Sequence, residues 1–361
     1  GVCEVSRFPP GEPHGGLRIA APDESPWRPL PGRAGGFLNH ARIRTTFARE
    51  ADAIAGRIAE FAAQQGAQQL WVTLNSQALV RLAARLQRIT RLPLRALVWD
   101  PIGFLARHQG WDAHSAAWSE ANFDRAMAVS ASAMVVSQSM VDEYGHRFGL
   151  PCKIVRHAFD VSRMLTPGDD DGFIKIGFAG TLYDASQLDA LVQALSAMNW
   201  MLGHRRVKLR IIGNYYRFNR LNAPAHIELM GWRSTEDARA LLAECAFAYL
   251  PIPFGAHFAN FARLAFPTKL STYLAAGCPI LLHAPAYADV AKFCAQQGVG
   301  AVCASMDPSV LGGTIKALHA RLDDASLRDA VWRTCVENFS RDVMRRNFAD
   351  FIGAAEYELL P

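Results

Sequence analysis

Short apolar runs alternate with amphipathic segments of helical periodicity along most of the chain, and this alternation predicts repeated β-α units. The predicted strands in the first part of the chain are residues 70–74, 94–99, 133–137 and 153–156. In the second part they are residues 173–179, 207–212, 227–230, 247–250, 280–282 and 300–303. Strands separated in this way by helices predict parallel sheets with helices on both faces, an α/β fold.

Apolar residues spaced three and four apart predict the helices between these strands. In the first part of the chain the predicted helices are residues 38–65, 77–90, 116–130 and 139–148. Those of the second part are residues 186–198, 235–244, 287–296, 308–322, 325–338 and 341–357, with a short helix that begins at residue 268. The first 37 residues are rich in Gly, Pro and Arg and contain only short strand-like pieces.

A chain of 361 residues is too long for one ordinary core, so the pattern predicts two domains. We expect the first over residues 1–160 and the second over residues 173–338. The linker between them, residues 161–172, contains Pro167-Gly168 and an acidic run. The last segment, residues 339–361, is predicted to form a helix that returns to the first domain.

The composition is that of a globular protein, because half of the residues are apolar and Gly and Pro are near their usual frequency. Seven cysteines occur without a C-x-x-C pair, which favours buried, reduced thiols in a cytoplasmic protein over disulfides or a metal site. No apolar run approaches the ~20 residues of a membrane span. The sequence has Asp-x-Asp only within the acidic run of the linker and none after a predicted strand, so we expect no metal ion at the site.

The net charge of +5 includes a group of arginines around the second predicted helix: Arg81, Arg85, Arg88, Arg91 and Arg95. Their spacing predicts one basic stripe opposite the apolar face of that helix. The stripe is either a solvated helix face or a surface that rests on anionic lipid at the inner face of the membrane. Nucleic-acid binding is disfavoured because no aromatic interleaving accompanies the charge.

The segment Pro267-Thr268-Lys269-Leu270 is the strongest candidate for chemistry. It reads as a loop that places Thr268 and Lys269 in the first turn of a short helix. Backbone N–H groups at a helix N-terminus carry partial positive charge, and a lysine beside them makes a phosphate site. The alternative is an ordinary capped helix with one exposed lysine.

Other candidates follow from the rule that ligands of doubly wound sheets bind outside the carboxyl ends of the strands. The residues just past those ends in the second domain include Gly180, Thr181, Gly213, Asn214, Tyr215, Gly231, Trp232 and Pro253. Glycines at these positions would let the backbone approach a phosphate or a base closely. Trp232 is either a base-stacking side chain or a packed aromatic residue.

The segment from Thr268 to Pro279 resembles the donor-site signature of the GT-B glycosyltransferases, particularly the retaining family 4. The resemblance implies two Rossmann-like domains that face a cleft, with an acceptor site in the first and a nucleotide-sugar site in the second. It further implies that Lys269 and the amides of Thr268 and Leu270 hold the diphosphate. Gly231 and Trp232 would flank the nucleoside base, and Asn214 would lie near the donor.

In the first domain the resemblance points to Asp100, which follows the strand ending at Trp99. Many family members have a histidine at the position of Trp99, so His108, His114 and His157 are alternative candidates for its role. If the reaction inverts the anomeric configuration, Asp100 or one of these histidines would be the general base.

The chain also departs from the family pattern. Two glutamates spaced eight apart are replaced by Leu264 and Thr272, and an arginine and a lysine by Thr181 and Ser186. Thr272 stays among the candidate donor contacts, and Lys269 is the main cation left. The first clear predicted helix begins only at Leu38, so we expect the family's opening strand and helix to be absent.

Taken together, these features predict a cytoplasmic enzyme that moves a sugar from a nucleoside-diphosphate sugar to a glycan or lipid-linked acceptor in cell-surface polysaccharide synthesis. The resemblance implies retention of configuration and no cofactor besides the donor. The missing carboxylates leave two alternatives open. One is a non-catalytic nucleotide-sugar-binding or scaffold subunit of a polysaccharide assembly complex, and the other is a sugar-nucleotide epimerase.

Overall fold

The computed structural model describes residues 3–6, 17–20, 32–161, 171–213 and 224–353. The chain divides into two compact units. The first unit extends to Val155 and resumes at Phe348, and the second comprises Arg156–Asn347. The candidates Asn214 and Tyr215, most of the expected linker and the end of the last predicted helix lie outside the described residues.

The first unit contains a four-stranded parallel sheet in the order β3-β4-β5-β6, formed by β3 (Leu70–Thr73), β4 (Leu94–Leu97), β5 (Ser130–Val135) and β6 (Cys152–Ile154). A separate parallel pair consists of β1 (Cys3–Ser6) and β2 (Leu17–Ala20). Because all four strands run parallel, the carboxyl ends of β3 to β6 share one edge of the sheet.

The helices of this unit are α1 (Gly32–Gln64), α2 (Gln77–Thr90), α3 (Ile102–His108), α4 (Ala113–Ala128) and α5 (Gln138–Phe148). Helix α1 starts six residues before the predicted start at Leu38, because Gly35 is buried on the same face as Asn39 and Ile43. The sequence pattern missed α3, which is only seven residues long.

The second unit contains a seven-stranded sheet in which β10-β9-β7-β11-β12-β13 are parallel neighbours and β8 pairs antiparallel with β9. Its strands are β7 (Phe173–Ala179), β8 (Met201–Leu202), β9 (Arg205–Ile212), β10 (Ile227–Gly231), β11 (Phe247–Pro251), β12 (Ile280–His283) and β13 (Gly300–Cys303). Strands β7, β11 and β12 are mostly apolar because helices cover both faces of the sheet. Phe178, Leu209 and Tyr249 lie in this core and are fully buried.

Helices α6 (Ala185–Ala197), α7 (Thr235–Ala243), α8 (Ala259–Leu264), α9 (Thr268–Ala275), α10 (Asp289–Gln297), α11 (Pro308–His319) and α12 (Ala325–Phe339) complete the second unit. Helix α8 and the two-residue strand β8 were not predicted, because both are too short for a periodic signal. The short helix at residue 268 is confirmed as α9.

Helix α13 (Arg341–Ile352) begins in the second unit, and its last turn belongs to the first. There the Phe348 ring contacts Trp71 edge-on at a centroid distance of 4.6 Å. Asp350 pairs with Lys153 at 2.6 Å. None of the helices in the described ranges is both long enough and apolar enough to span a bilayer.

The prediction of a basic stripe around α2 is wrong for its first and last arginines, Arg81 and Arg95. Arg81 is buried, donates to Ser119 at 3.1 Å and lies over the Trp118 ring at 3.8 Å. Arg95 belongs to β4 and donates to the Ile352 carbonyl at 3.0 Å. A guanidinium group can stack on an aromatic ring and donate to several acceptors at once. Sequence spacing alone therefore cannot distinguish a buried arginine from an exposed one. Only Arg88 and Arg91 of the five are fully exposed.

Candidate functional site

Three glycines lie side by side at the carboxyl ends of β7, β9 and β10. The Gly180 amide donates to the Ile212 carbonyl at 2.9 Å, and the Gly213 amide donates to the Gly231 carbonyl at 2.9 Å. All three have positive φ, namely 93° at Gly180, 140° at Gly213 and 77° at Gly231. A Cβ atom at Gly213 would lie 3.2 Å from the Gly180 carbonyl oxygen. The turns therefore require glycine, and they leave backbone close to any ligand at this edge.

Lys269 reaches across this row of turns from the first turn of α9. Its ammonium donates to the Thr181 carbonyl and lies 4.9 Å from the Phe178 ring centroid and 5.2 Å from that of Tyr183. A Cβ atom at Gly180 would lie 3.0 Å from the Lys269 Cε atom, so the glycine makes room for the lysine. Among the residues that the structure describes, Lys269 has no carboxylate partner.

Burial lowers the pKa of the Lys269 ammonium to about 7. A cation that is partly desolvated and lacks a counter-ion binds an anion more strongly than a fully hydrated lysine does. The structure thus brings together Lys269, Thr181 and Gly180, as the sequence predicted, at one edge of the sheet.

Tyr273 ties α9 to the end of β7. Its hydroxyl accepts from the Ala179 amide at 2.9 Å and donates to the Ala179 carbonyl at 3.0 Å. Tyr273 is completely buried, and it lies one helical turn after Lys269. This pair of hydrogen bonds fixes the position of Lys269 relative to Gly180. Tyr273 lies within the segment Thr268–Pro279, and the sequence pattern assigns it no role.

The first turn of α9 is closed by a backbone hydrogen bond. The Leu270 amide donates to the Pro267 carbonyl at 3.1 Å, and the Leu270 side chain is fully buried. This bond between residues three apart closes the turn, and the contact of the Leu270 amide with a diphosphate stays a prediction. Thr268 is exposed, and the Thr272 hydroxyl lies 3.5 Å from the Thr268 carbonyl.

Trp232 follows the last glycine of the row and is 72% exposed. The alternative that it is a packed aromatic residue is therefore wrong. An exposed indole costs hydrophobic free energy unless a ligand or partner covers it, so Trp232 stays a candidate for contact with a nucleoside base. Its carbonyl accepts from Arg233 at 2.9 Å.

The next two strand ends are held together by a buried glutamine. The Gln187 side-chain amide donates to the carbonyls of Ile252 at 2.7 Å and His283 at 2.9 Å. The Tyr249 hydroxyl donates to the Gln187 backbone carbonyl at 2.9 Å. This network anchors the start of the loop from β11 to α8. Pro253 in that loop is buried and offers no side-chain surface to solvent.

In the first unit, Asp100 lies just past the carboxyl end of β4. Burial raises the pKa of its carboxyl group above the ordinary value, and the nearby His108 opposes that rise. A carboxylate with a raised pKa is a stronger base than an exposed one. His108 is exposed and stacks on Phe104 at a centroid distance of 5.5 Å.

The other histidine candidates, His114 and His157, each contact an aromatic ring. His114 is in the first turn of α4, where Asp112 accepts from its amide at 3.0 Å, and its ring contacts Phe37 at a centroid distance of 5.7 Å. His157 belongs to the second unit and contacts the Phe159 ring at 4.9 Å. Neither contact gives these side chains a catalytic partner.

The chain matches no protein-family model and no curated protein sequence. It does match solved structures of glycosyltransferases. The Anabaena protein HepE in complex with UDP is 14% identical, with 83% of this chain and 82% of that chain covered and a TM-score of 0.60. The lipopolysaccharide outer core galactosyltransferase WaaB, at 13% identity, gives 88% and 81% coverage and a TM-score of 0.58. Sucrose-phosphate synthase from Thermosynechococcus elongatus, at 11% identity, gives 93% and 82% and a TM-score of 0.64.

Identities this low establish the fold and nothing beyond it. The chain has the α/β architecture of the GT-B glycosyltransferases, with two Rossmann-like units, and the fold class predicted from the sequence is confirmed.

Proposed function

We propose that this protein is a glycosyltransferase that uses a nucleoside-diphosphate sugar as donor and a glycan or lipid-linked molecule as acceptor. The observation that carries the proposal is the position of Lys269, a lysine without a carboxylate partner among the described residues, across the glycine turns of the second unit. The fold agrees, since HepE is a protein of this architecture that binds UDP and UDP-glucose.

The proposed role of this edge is to bind the diphosphate and to stabilise the charge that develops on it as the sugar leaves. The Lys269 ammonium and the exposed Thr268 hydroxyl would contact the phosphates, and the turns at Gly180 and Gly213 would let them approach the backbone. Trp232 would stack on the base. Charge stabilisation of this kind lowers the barrier without a protein nucleophile.

The finer features are also proposals. We expect retention of configuration and a reaction that needs no metal ion, as the family resemblance implies. The first unit would bind the acceptor, and Asp100, with its raised pKa, would accept a proton from the acceptor hydroxyl if the reaction inverts. The chain would act in polysaccharide synthesis in the cytoplasm.

The structure exposes fewer of the five arginines near α2 than the sequence pattern predicted, so less basic surface is available for contact with a membrane. Arg88 and Arg91 are exposed at the end of α2, whereas Arg85 lies 3.4 Å from Asp52 and Arg81 is buried. Two free arginines contribute about 1 kcal/mol each near an anionic surface, so we propose at most a weak peripheral contact.

Calorimetric titration with UDP, GDP and dTDP tests the proposed donor site. At least one nucleotide should bind to the wild-type protein, and Lys269→Ala should weaken that binding by about tenfold to a hundredfold, the usual effect of losing a charged hydrogen bond. Lys292→Ala is the matched control, because Lys292 is an exposed lysine of the same unit on α10. Equal weakening by both variants, or no binding of any nucleotide, would contradict the proposal.

A further inference from the structure

The loop from β11 to α9 has an unusual composition for a segment next to a sugar-nucleotide site. Residues 251–267 contain no Asp, Glu, Ser, Thr or Gln. Their polar side chains are His257, Asn260 and Arg263, and their aromatic side chains are Phe254, Phe258, Phe261 and Phe266. Sugar hydroxyls are usually bound by carboxylates and amides, which accept more than one hydrogen bond each.

A series of ring contacts runs from Lys269 into this loop. The Lys269 ammonium lies 5.2 Å from the Tyr183 ring centroid, and Tyr183 contacts Phe261 edge-on at 5.0 Å. Phe261 in turn contacts Phe258 at 6.4 Å, and Phe258 contacts His257 at 4.2 Å. We name these four residues, Tyr183, Phe261, Phe258 and His257, the aromatic wall.

The aromatic wall is buried at one end and accessible to solvent at the other. Phe261 is buried, Tyr183 and Phe258 are half-buried, and His257 is exposed. A Cβ atom at Gly255 would lie 2.8 Å from the His257 ring, so the glycine lets the imidazole fold against the loop. The loop is also fixed at its start, where Gln187 donates to the Ile252 carbonyl at 2.7 Å. The wall is therefore a pre-formed surface, which favours binding.

We propose that the aromatic wall selects a donor sugar with an apolar edge, specifically a 6-deoxyhexose, over the corresponding hexose. The inference rests on the proposed function, because the wall begins at Tyr183, whose ring centroid is 5.2 Å from the Lys269 ammonium that would hold the diphosphate. A C5 methyl group packs on aromatic faces. A C6 hydroxyl packed on the Phe258 and Phe261 rings loses its hydrogen bonds to water, and in the wall only Tyr183 and His257 carry hydrogen-bonding atoms.

Pairs of donors that differ only at C6 test the proposal. The base is chosen first with free UDP, GDP and dTDP. The pair is then UDP-glucose with UDP-6-deoxyglucose, GDP-mannose with GDP-rhamnose of the D configuration, or dTDP-glucose with dTDP-6-deoxyglucose. We expect the deoxy donor to bind about tenfold to a hundredfold more tightly in calorimetric titration, since an unpaired buried hydroxyl costs an amount of that order.

A variant of the wall gives a second, independent test. Phe258→Ala should reduce the preference for the deoxy donor to about threefold or less and leave the affinity for the free nucleotide unchanged, since the phosphates do not contact this ring. Ile89→Ala, which removes an exposed apolar side chain of α2 in the first unit, should leave the preference as it is.

The outcomes separate the two proposals. If the free nucleotide binds and the two donors of a pair bind equally, or the hexose binds more tightly, the deoxy-sugar inference is wrong and the donor site stands. Should no free nucleotide bind, both proposals fall. The wild-type comparison decides the matter even if Phe258→Ala does not fold.

Discussion

At the scale of single residues, the account depends on how Lys269 is held. The lysine carbons fill the space left by Gly180, and the ammonium contacts a carbonyl and two rings. The sequence predicted that Lys269, Thr181 and Gly180 belong to one site, since each follows a strand or begins a helix at the same sheet edge. It could not predict the aromatic neighbours Phe178 and Tyr183, because ring contacts depend on side-chain direction and not on spacing.

The lowered pKa of Lys269 predicts that donor binding depends on pH. With a pKa of about 7 the side chain loses its charge as the pH rises through neutrality, so affinity for a nucleotide sugar should fall between pH 6 and pH 8.5. Titration calorimetry across this range measures the effect. Lys269→Arg keeps its charge throughout and should bind with little pH dependence. An identical pH profile in the two proteins would contradict the lowered pKa.

The same pKa also has a consequence for stability. The folded-state pKa lies below the ordinary lysine value of 10.5, so the unfolded chain binds more protons between about pH 7 and pH 10.5. The contribution of Lys269 to the free energy of unfolding therefore rises with pH across this window and is lost as the pH falls through 7. In urea unfolding, Lys269→Met should remove this increase.

Gly180→Ala tests the requirement for glycine at the end of β7. Alanine at φ 93° is strained, and its Cβ atom would lie 3.0 Å from Lys269 Cε. We expect a loss of about 1–3 kcal/mol in the free energy of unfolding and weaker nucleotide binding. The control is Gly313→Ala in α11, where a Cβ atom meets nothing within 4 Å. That change should be neutral or stabilising by up to about 1 kcal/mol. Similar losses in both variants would contradict the argument.

At the scale of elements, α9 and β7 carry the main residues of the proposed donor site, and Tyr273 joins the two elements. The periodicity of the sequence predicted both elements, and β7 was predicted with its exact bounds because seven mostly apolar residues lie between polar turns. The hydroxyl that pairs with both backbone groups of Ala179 could not be predicted, since a buried tyrosine in a helix is ordinarily a core residue.

Tyr273→Phe tests this connection. Removal of the hydroxyl leaves the Ala179 amide and carbonyl without these partners in a buried position, which costs about 1–3 kcal/mol in the free energy of unfolding. Nucleotide binding should weaken as well, because Lys269 then loses its fixed position. Tyr287→Phe is the matched control, since Tyr287 is 43% exposed. If chemical denaturation shows no difference between the two variants, Tyr273 does not tie α9 to β7.

At the scale of the whole molecule, the alternation of strands and helices was sufficient to predict two α/β units, and the solved structures of the same fold agree. The sequence-based predictions that failed concerned the burial of arginines and the presence of short helices. The spacing of the arginines along α2 predicted a basic surface, yet the Arg81 guanidinium lies over the Trp118 ring inside the first unit. Helices α3 and α8 carry too few turns to give a period. The proposed donor preference depends on one such short segment, the loop that contains α8, since binding residues often lie in loops.

The most direct test of the central claim is hydrogen–deuterium exchange with and without the nucleoside diphosphate that binds best. The account predicts slower exchange in the peptides that contain Gly180–Tyr183 and Thr268–Thr272, and no such change in Lys269→Ala at the same nucleotide concentration. Binding that protects only peptides of the first unit, or that protects these two segments equally in Lys269→Ala, would contradict it.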